Sequence, residues 1–526
     1  MSNSRHGLIQ IKDEIQKTSQ NIEMINTKAT LSAGAIVLAA INHVYAQYVP
    51  PPPPAPFAGF LNEYLRTNDP AMNAWDFGGS ARARFEAKEG FAIQGVPGSM
   101  DFRDQGGDQH NEYFLERIRY HGGYIGDWWG AFVEGQSSLV QADKRFAYAD
   151  SPAVPGTIKT RGDGPEADIA MLHQAFVTVG DLKEFPLALK IGRQEMSYGD
   201  ERLIGTFSWN NIGRTFDAAK LTLSTEWFSA DFFTSRPVIP EDGRFNVAND
   251  YDWFSGVYAT TALLPKNNLQ LYFLSRNSSS SAIDAEPRPQ FPQPSARDIY
   301  TVGGRLKSLP GQFGSWDYTV EGAYQFGDFR DNRLGANSPR LAQSAFMAVA
   351  NVGYTFTNIW ATPRLAGEYS YSSGDSNPHD GVHGTFDNLF PTTHRFNGYM
   401  NFFSFQNVQD ARGILQLKPC PRMTAAIEGH GFWLADTHDN FYNASFAPRG
   451  GLGTTPGTGY GINPNYGSFV GTELDAIAGF AVTRFAQLEM GYGHFFVGDY
   501  IKQSLSAPGF GSRDADWAYM QATITF

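Results

Sequence analysis

Trp517–Phe526 reads WAYMQATITF, and its alternation decides the fold class. Ala518, Met520, Ala522, Ile524 and Phe526 fall on one face, while Gln521, Thr523 and Thr525 fall on the other. A period of two is the pattern of a β-strand with one apolar and one polar side. The same pattern recurs far upstream. Trp316, Tyr318, Val320, Gly322, Tyr324 and Phe326 oppose Asp317, Thr319, Glu321, Ala323 and Gln325. Phe77, Gly79, Ala81, Ala83 and Phe85 oppose Ser80, Arg82, Arg84 and Glu86, and Leu365, Gly367, Tyr369 and Tyr371 oppose Arg364, Ala366, Glu368 and Ser370. The apolar rows are rich in aromatic rings, as a lipid-facing surface with interfacial girdles requires.

Composition agrees with a strand-built membrane protein. Aromatic residues make up 14 % of the 526 residues, charged residues 18 %, and glycine accounts for 55 positions. No apolar run reaches the ~18 residues a spanning helix needs, whereas a membrane strand needs ~9–11 residues with only every second one apolar. That arithmetic reconciles a membrane protein with a mean hydropathy of −0.34. Eighteen strand-like segments are predicted between 75–87 and 515–526, with short gaps after even-numbered segments and mostly long gaps after odd-numbered ones. Short turns on one side and long loops on the other belong to bacterial barrels, and an even count puts both termini on the periplasmic side. The expected fold is therefore all-β, a transmembrane outer-membrane β-barrel of about 18 antiparallel strands, which excludes helical carriers.

The N-terminal region reads as export and spacing. Lys28 precedes the apolar run Ala33–Ile41, and Val44-Tyr45-Ala46 supplies small residues for cleavage. Residues 1–46 are expected to be a signal peptide, with Met24 the true start because 1–23 are polar and mixed in charge. Residues 47–74, with Pro50–Pro54 and Pro56, read as a Pro-rich periplasmic spacer, and 75–526 as the barrel. The single Cys420 can form no intramolecular disulfide.

If apolar rows face lipid, the opposite rows line a lumen. Arg82, Arg84, Arg117, Arg119, Lys220, Arg305, Lys307, Arg364 and Arg412 are its basic candidates. Glu86, Glu134, Asp317, Glu321, Glu368, Glu428, Glu473, Asp475 and Glu489 are its acidic ones. The i, i+2 pairs Arg82/Arg84 and Arg117/Arg119 on adjacent strands point to a local positive patch suited to carboxylates. The competing reading has these arginines pair with lumen carboxylates and brace the wall.

No nucleophile elbow, HExxH, P-loop or CxxC motif occurs, so neither catalysis, a cofactor nor a metal is expected, and no nucleic-acid partner. An outer-membrane hydrolase would need a set such as Glu428, His430 and Ser404 or Ser372. Asp375, Asn377 and Asp380 offer oxygen ligands of the kind Ca²⁺ takes, in a stretch that also reads as tight turns.

Two longer motifs carry a family resemblance. Residues 192–217 read GRQEMSYGDERLIGTFSWNNIGRTFD, and residues 385–403 read TFDNLFPTTHRFNGYMNFF, followed by FWLAD at 432–436. They resemble the alginate export outer-membrane porin family. The resemblance implies an 18-stranded barrel and diffusive export of an acidic polysaccharide through an arginine-lined pore. Arg193, Asp200, Glu201, Arg202 and Arg214 match the family motif in the third outer loop, and Arg82, Arg84, Arg117 and Arg119 match its lumen arginines less closely. Together with Lys220, Arg305 and Arg364 these form the candidate pore-lining, substrate-binding set. YGDER reads equally as a folded loop held by internal ion pairs and anchored by Trp209 and Phe216. The aromatic segment 386–405 is a candidate inward-folded plug. Implied partners are outer-membrane lipid, the barrel assembly machinery, and an anionic polysaccharide or small anionic solute. The alternatives are a general or sugar-selective porin and a plugged structural or adhesion barrel.

Overall fold

The computed structural model describes residues 58–91, 101–104, 110–144, 166–240, 246–261, 263–279, 296–330, 338–394, 396–444, 446, 448–449 and 460–526. The expected signal peptide, its start at Met24 and the proline run lie outside the described residues. The barrel begins with β1 (Trp75–Glu89), β2 (His110–Ile125), β3 (Trp129–Gln141), β4 (Asp168–Val179), β5 (Leu187–Gln194) and β6 (Phe216–Ser224). It continues with β7 (Phe228–Ile239), β8 (Asp252–Thr261), β9 (Asn267–Ser278), β10 (Ala296–Ser308), β11 (Trp316–Arg330) and β12 (Leu341–Thr355). The last six are β13 (Arg364–Ser372), β14 (Val408–Cys420), β15 (Met423–Leu434), β16 (Phe469–Ala481), β17 (Ala486–Val497) and β18 (Ala515–Thr525).

Each strand pairs antiparallel with its sequence neighbours. The ends meet as well: β18 pairs antiparallel with β1, from Ser80 opposite Thr525 to Glu89 opposite Asp516. The sheet is a closed 18-stranded barrel of the outer-membrane class, and all eighteen predicted segments are strands. Two two-residue ladders, Val247–Ala248 and Val382–His383, decorate the loops. Connections after even strands are short, down to the two residues 421–422, while those after odd strands include 195–215 and 373–407. The short-turn end is the periplasmic one in this class.

Alternation sorts the side chains as the pattern predicts. Met520, Ile524, Val320, Tyr324 and Leu365 are exposed on the outer face, and Trp128, Trp129, Trp227, Trp316 and Trp360 ring its short-turn end. All the basic and acidic lumen candidates named above lie on the inward rows.

Part of the segment read as spacer is ordered structure. Helix α1 (Phe60–Asn68) and a 3₁₀ turn (Pro70–Ala74) dock at the short-turn end beside the β1–β18 seam. Asn62 is buried there, donating to Asp76 (2.7 Å) and accepting from the Phe77 amide (2.7 Å). Phe60 packs against Phe485 and Phe526, with ring centroids 6.1 and 6.3 Å apart. Composition hid this helix because its register is set by polar clasps and aromatic contacts rather than by a long apolar stripe.

The seam is tight. Gly79 and Phe526 exchange two backbone hydrogen bonds of 2.9 Å each. A Cβ on Gly79 would run into the Arg119 carbonyl and the Phe526 ring. Gly79→Val is therefore expected to weaken closure by ~1–3 kcal/mol, the usual range for overpacking a fitted site. Loss of the compact heat-modifiable band on a semi-native gel at a temperature where the parent keeps it would report this.

Candidate functional site

Two loops fill the outward half of the lumen. The first, 195–215, leaves β5 at Gln194 and turns sharply at Gly199 (φ 62°) and Glu201 (φ 60°). Those turns aim three consecutive charged side chains in different directions. Asp200 meets Arg305 (3.1 Å) and Lys307 (3.0 Å) on β10. Arg202 meets Glu368 on β13 at 2.7 Å and lies 4.2 Å over the Phe396 ring. The Glu201 carboxylate accepts from Ser197 and Thr392, each at 2.6 Å. The loop is thereby tied to β10 and β13.

The second loop, 373–407, runs through the same space. Ile204 and Phe390 form a parallel bridge between the two loops. The Gly205 amide donates to the Phe390 carbonyl (2.8 Å), the Phe390 amide to Leu203 (3.0 Å) and the Thr392 amide to Glu201 (2.8 Å). Arg214 locks the junction by donating to the carbonyls of Gly205 (2.9 Å), Pro391 (2.9 Å) and Phe390. Phe390 packs between Phe216 and Phe254, and Phe402 and Phe403 pack on Phe495 and Phe432. Trp209 stacks on His394 at 3.8 Å. Gln325 and Gln343, from β11 and β12, donate to the Asp387 and Thr385 carbonyls at 2.8 and 2.9 Å. Contacts with inward residues of β6, β8, β11, β12, β15 and β17 put the aromatic segment inside the barrel, where it forms the core of the outward half.

The arginine patch on β1 and β2 faces this loop body. Arg82 and Arg117 stand directly opposite each other, an arrangement that costs energy unless something compensates. Arg82 donates to the Ser208 carbonyl (2.9 Å), the Asn210 carbonyl (3.3 Å) and the Asn211 side chain (3.0 Å). Arg117 donates to the Ser208 and Asn210 carbonyls at 3.1 and 3.2 Å. Arg84 donates to the Trp209 carbonyl (2.7 Å), pairs with Glu86 (2.8 Å) and covers the Trp209 ring at 3.8 Å. Arg119 pairs with Glu195 at 3.2 Å. Among the described residues neither Arg82 nor Arg117 pairs with a carboxylate. Neutral carbonyls take their terminal nitrogens, the buried Nε of each has no hydrogen-bond partner among the described residues, and neither charge is cancelled by a direct ion pair.

The loop carboxylates divide by environment. Burial pushes Asp200 upward, but Lys307 and Arg305 outweigh it and hold the group below the ordinary aspartate range. Burial of Asp387 is outweighed in the same way by Arg297 and Arg276. Glu201, which has hydroxyl partners and no cation, is pushed up by burial.

The remaining candidates divide between lumen and rim. Lys220 pairs with Asp231 (2.9 Å), and Arg364 forms a two-pronged pair with Asp317 (2.6 and 2.9 Å). Arg193 departs from the expected set: it shares the outward face with Ile191, pairs with Asp217 at 2.8 Å and lies at the outer rim rather than in the lumen. The motif gave its position at a strand end but not its parity. His430 is held by Asp410 (2.9 Å), while Ser404 donates to Gln406 (3.1 Å). Asp375 and Asp380 accept from the amides two residues on, Asn377 at 3.1 Å and Val382 at 2.8 Å, as in tight turns. Arg276 and Arg297 were missed. They flank Asp387, with Arg297 at 2.6 Å and Arg276 at 3.6 Å, and the parity of Arg276 with Tyr272 on β9 is the signal that would have found it.

A family model described as alginate export matches residues 74–508. No curated protein matches the sequence. Among solved structures, Acinetobacter baumannii OccAB1 is similar with a TM-score of 0.53 and 9 % identity, covering 86 % of this chain and 97 % of that one. Acinetobacter baumannii OccAB4 is similar with a TM-score of 0.52 and 11 % identity, covering 86 % and 99 %. At such identities the likeness is one of fold.

Asp200→Asn breaks a buried pair from one side and is expected to weaken loop docking by about 3–5 kcal/mol. Limited proteolysis of the folded protein would then cut within 195–215 where the parent resists. Because the Asp200 pKa is depressed, its contribution holds above the ordinary aspartate value of ~3.9 and is lost as pH falls through its lower folded value. The parent is thus expected to stay resistant at pH 5 and to lose protection only below about pH 4.

Proposed function

This chain belongs to the alginate export family, and we propose from that premise that it is an integral outer-membrane channel for passive movement of an anionic polysaccharide, alginate-like, or a related anionic solute. The observation that carries the reading is the opposed pair Arg82 and Arg117, whose partners are neutral carbonyls of Ser208 and Asn210. A wall braced only for stability would cancel opposed guanidinium groups with carboxylates, as Arg364 and Asp317 do lower in the lumen. An uncancelled pair in a confined, low-dielectric passage attracts anions and repels cations. Its planar donors also match the two oxygens of a carboxylate. The chain performs no chemistry in this reading: it lowers the electrostatic barrier to a solute moving down its own gradient.

A carboxylate can replace a neutral carbonyl on these guanidinium groups because charge-assisted hydrogen bonds are roughly twice as strong as neutral ones. Passage then involves exchange of the 208–210 carbonyls for solute oxygens and displacement of the two interlocked loops. A second reading, a plugged structural barrel, is favoured by the aromatic packing of Phe390, Phe402 and Phe403 inside the barrel. Current through a planar bilayer separates the two.

The parent protein is expected to carry anion-selective current that a polyuronate blocks at micromolar to millimolar concentration. Arg82→Ala with Arg117→Ala should raise conductance, because the loop loses its clasp, while lowering anion preference several-fold and weakening polyuronate block at least tenfold. Cation-selective or unselective parent current would defeat the anionic reading, and absence of current would favour the plugged barrel.

A further inference from the structure

The half of the lumen nearer the short turns differs from the loop-filled half. Inward residues beside the loops, such as Phe216, Phe254, Glu473 and Phe495, are fully buried. Toward the short turns on β3 to β6 the inward side chains Phe132, Phe176, Lys190 and Lys220 keep partial exposure. They form a strip across four neighbouring strands. Phe132 and Phe176 are cross-strand partners with ring centroids 5.3 Å apart, nearly parallel at 24°. The Lys190 ammonium lies 3.6 Å from the Phe176 ring centre, and Lys190 stands directly opposite Lys220.

The charges of this strip do not balance. Lys220 takes Asp231 at 2.9 Å, but Asp231 also accepts from Thr222 (2.6 Å) and Tyr198 (2.8 Å). The other carboxylates on this side are Glu195, engaged by Arg119 (3.2 Å) and His173 (2.9 Å), and Glu134 on β3, which accepts from Gln174 (3.2 Å). Among the described residues Lys190 pairs with no carboxylate, and its contact is the Phe176 ring. Two opposed lysines on one pair of strands are unfavourable, and a ring face repays only part of that cost. An anionic ligand would repay the rest. The two stacked rings beside the ammonium supply an apolar surface next to the charge.

We propose that Lys190, Lys220, Phe132 and Phe176 form an entry subsite for one carboxylated sugar unit arriving from the short-turn side, with its carboxylate between the two ammonium groups and its ring against the neighbouring phenyl pair. The subsite deepens the channel reading and rests on it, adding a docking point ahead of the arginine patch. Its four side chains keep partial exposure with the loops docked, although Tyr198 of the first loop bonds Asp231 beside Lys220. Binding is therefore measurable without conduction.

The test is equilibrium titration of the purified full-length protein in detergent with a short oligouronate, beside a neutral oligosaccharide of equal length. Heat-modifiable gel migration checks that each variant is folded. The parent is expected to bind the oligouronate in preference to the neutral sugar, with affinity falling as salt rises. Lys190→Gln should weaken oligouronate binding roughly tenfold, Lys190→Arg should retain most of it, and Phe176→Leu should weaken both sugars. Oligouronate affinity unchanged in Lys190→Gln, equal binding of neutral and acidic sugars, or no binding by the parent would each overturn the subsite. Anion selectivity in bilayers is read separately, so the channel reading can survive that failure or fall without it.

Discussion

Closure of β18 onto β1 is the constraint on which everything else rests. In lipid an open sheet edge would leave a row of amides and carbonyls without partners, each costing several kcal/mol. The paired run from Ser80–Thr525 to Glu89–Asp516 removes that edge. Closure then forces alternation on every strand, since one face meets lipid and the other the interior. It also explains the small residue at Gly79, where strand, neighbour and the Phe526 ring converge, and the docking of α1 on the same seam. A barrel of this strand number leaves room inside, and the protein fills the outward half with its own loops.

That filling inverts the usual relation between core and surface. The aromatic core lies inside the barrel, built by 385–405 against inward residues of many strands, while the outer surface is apolar by design. Charged lumen residues serve this interior by catching loop groups: Arg305 and Lys307 hold Asp200, Glu368 holds Arg202, and Arg297 holds Asp387. Most lumen charge is thus consumed in bracing. Some inward charge has no ion-pair partner among the described residues, the carboxylates of Glu473 and Asp475 included. Arg82 and Arg117 keep their charge through neutral partners, and Lys190 keeps its charge beside a ring. Both are on the β1–β6 side, giving the lumen a polar asymmetry that an equal count of acidic and basic residues conceals.

Of the readings of YGDER, the folded loop held by ion pairs is what the geometry displays. Its ion pairs fold the loop, and its folding is what brings the 208–210 carbonyls onto the arginines. A loop whose backbone bonds these guanidinium groups is a brace, and under the proposed channel reading it is also the barrier. Glu201, buried with hydroxyl partners and with no cationic partner among the described residues, is held within the loops rather than on the wall.

The sequence by itself determined the class of fold, the number of strands, the side on which the long loops lie and the inward face of the wall charges read from the alternating rows. All four follow from a period of two, a local property of covalent geometry that burial in lipid makes strict. It also marked the two motifs that interlock and the aromatic segment that fills the interior. Only the tertiary structure decided which charges cancel. Arg82 and Ser208 are far apart in sequence, as are Arg202 and Glu368, and no local pattern ranks such encounters. The outward parity of Arg193 likewise depends on where β5 ends and its loop begins, and the helix in 60–68 depends on a seam more than four hundred residues away. Pairing across a closed barrel is set by register and loop path, and these exist only once the last strand has found the first.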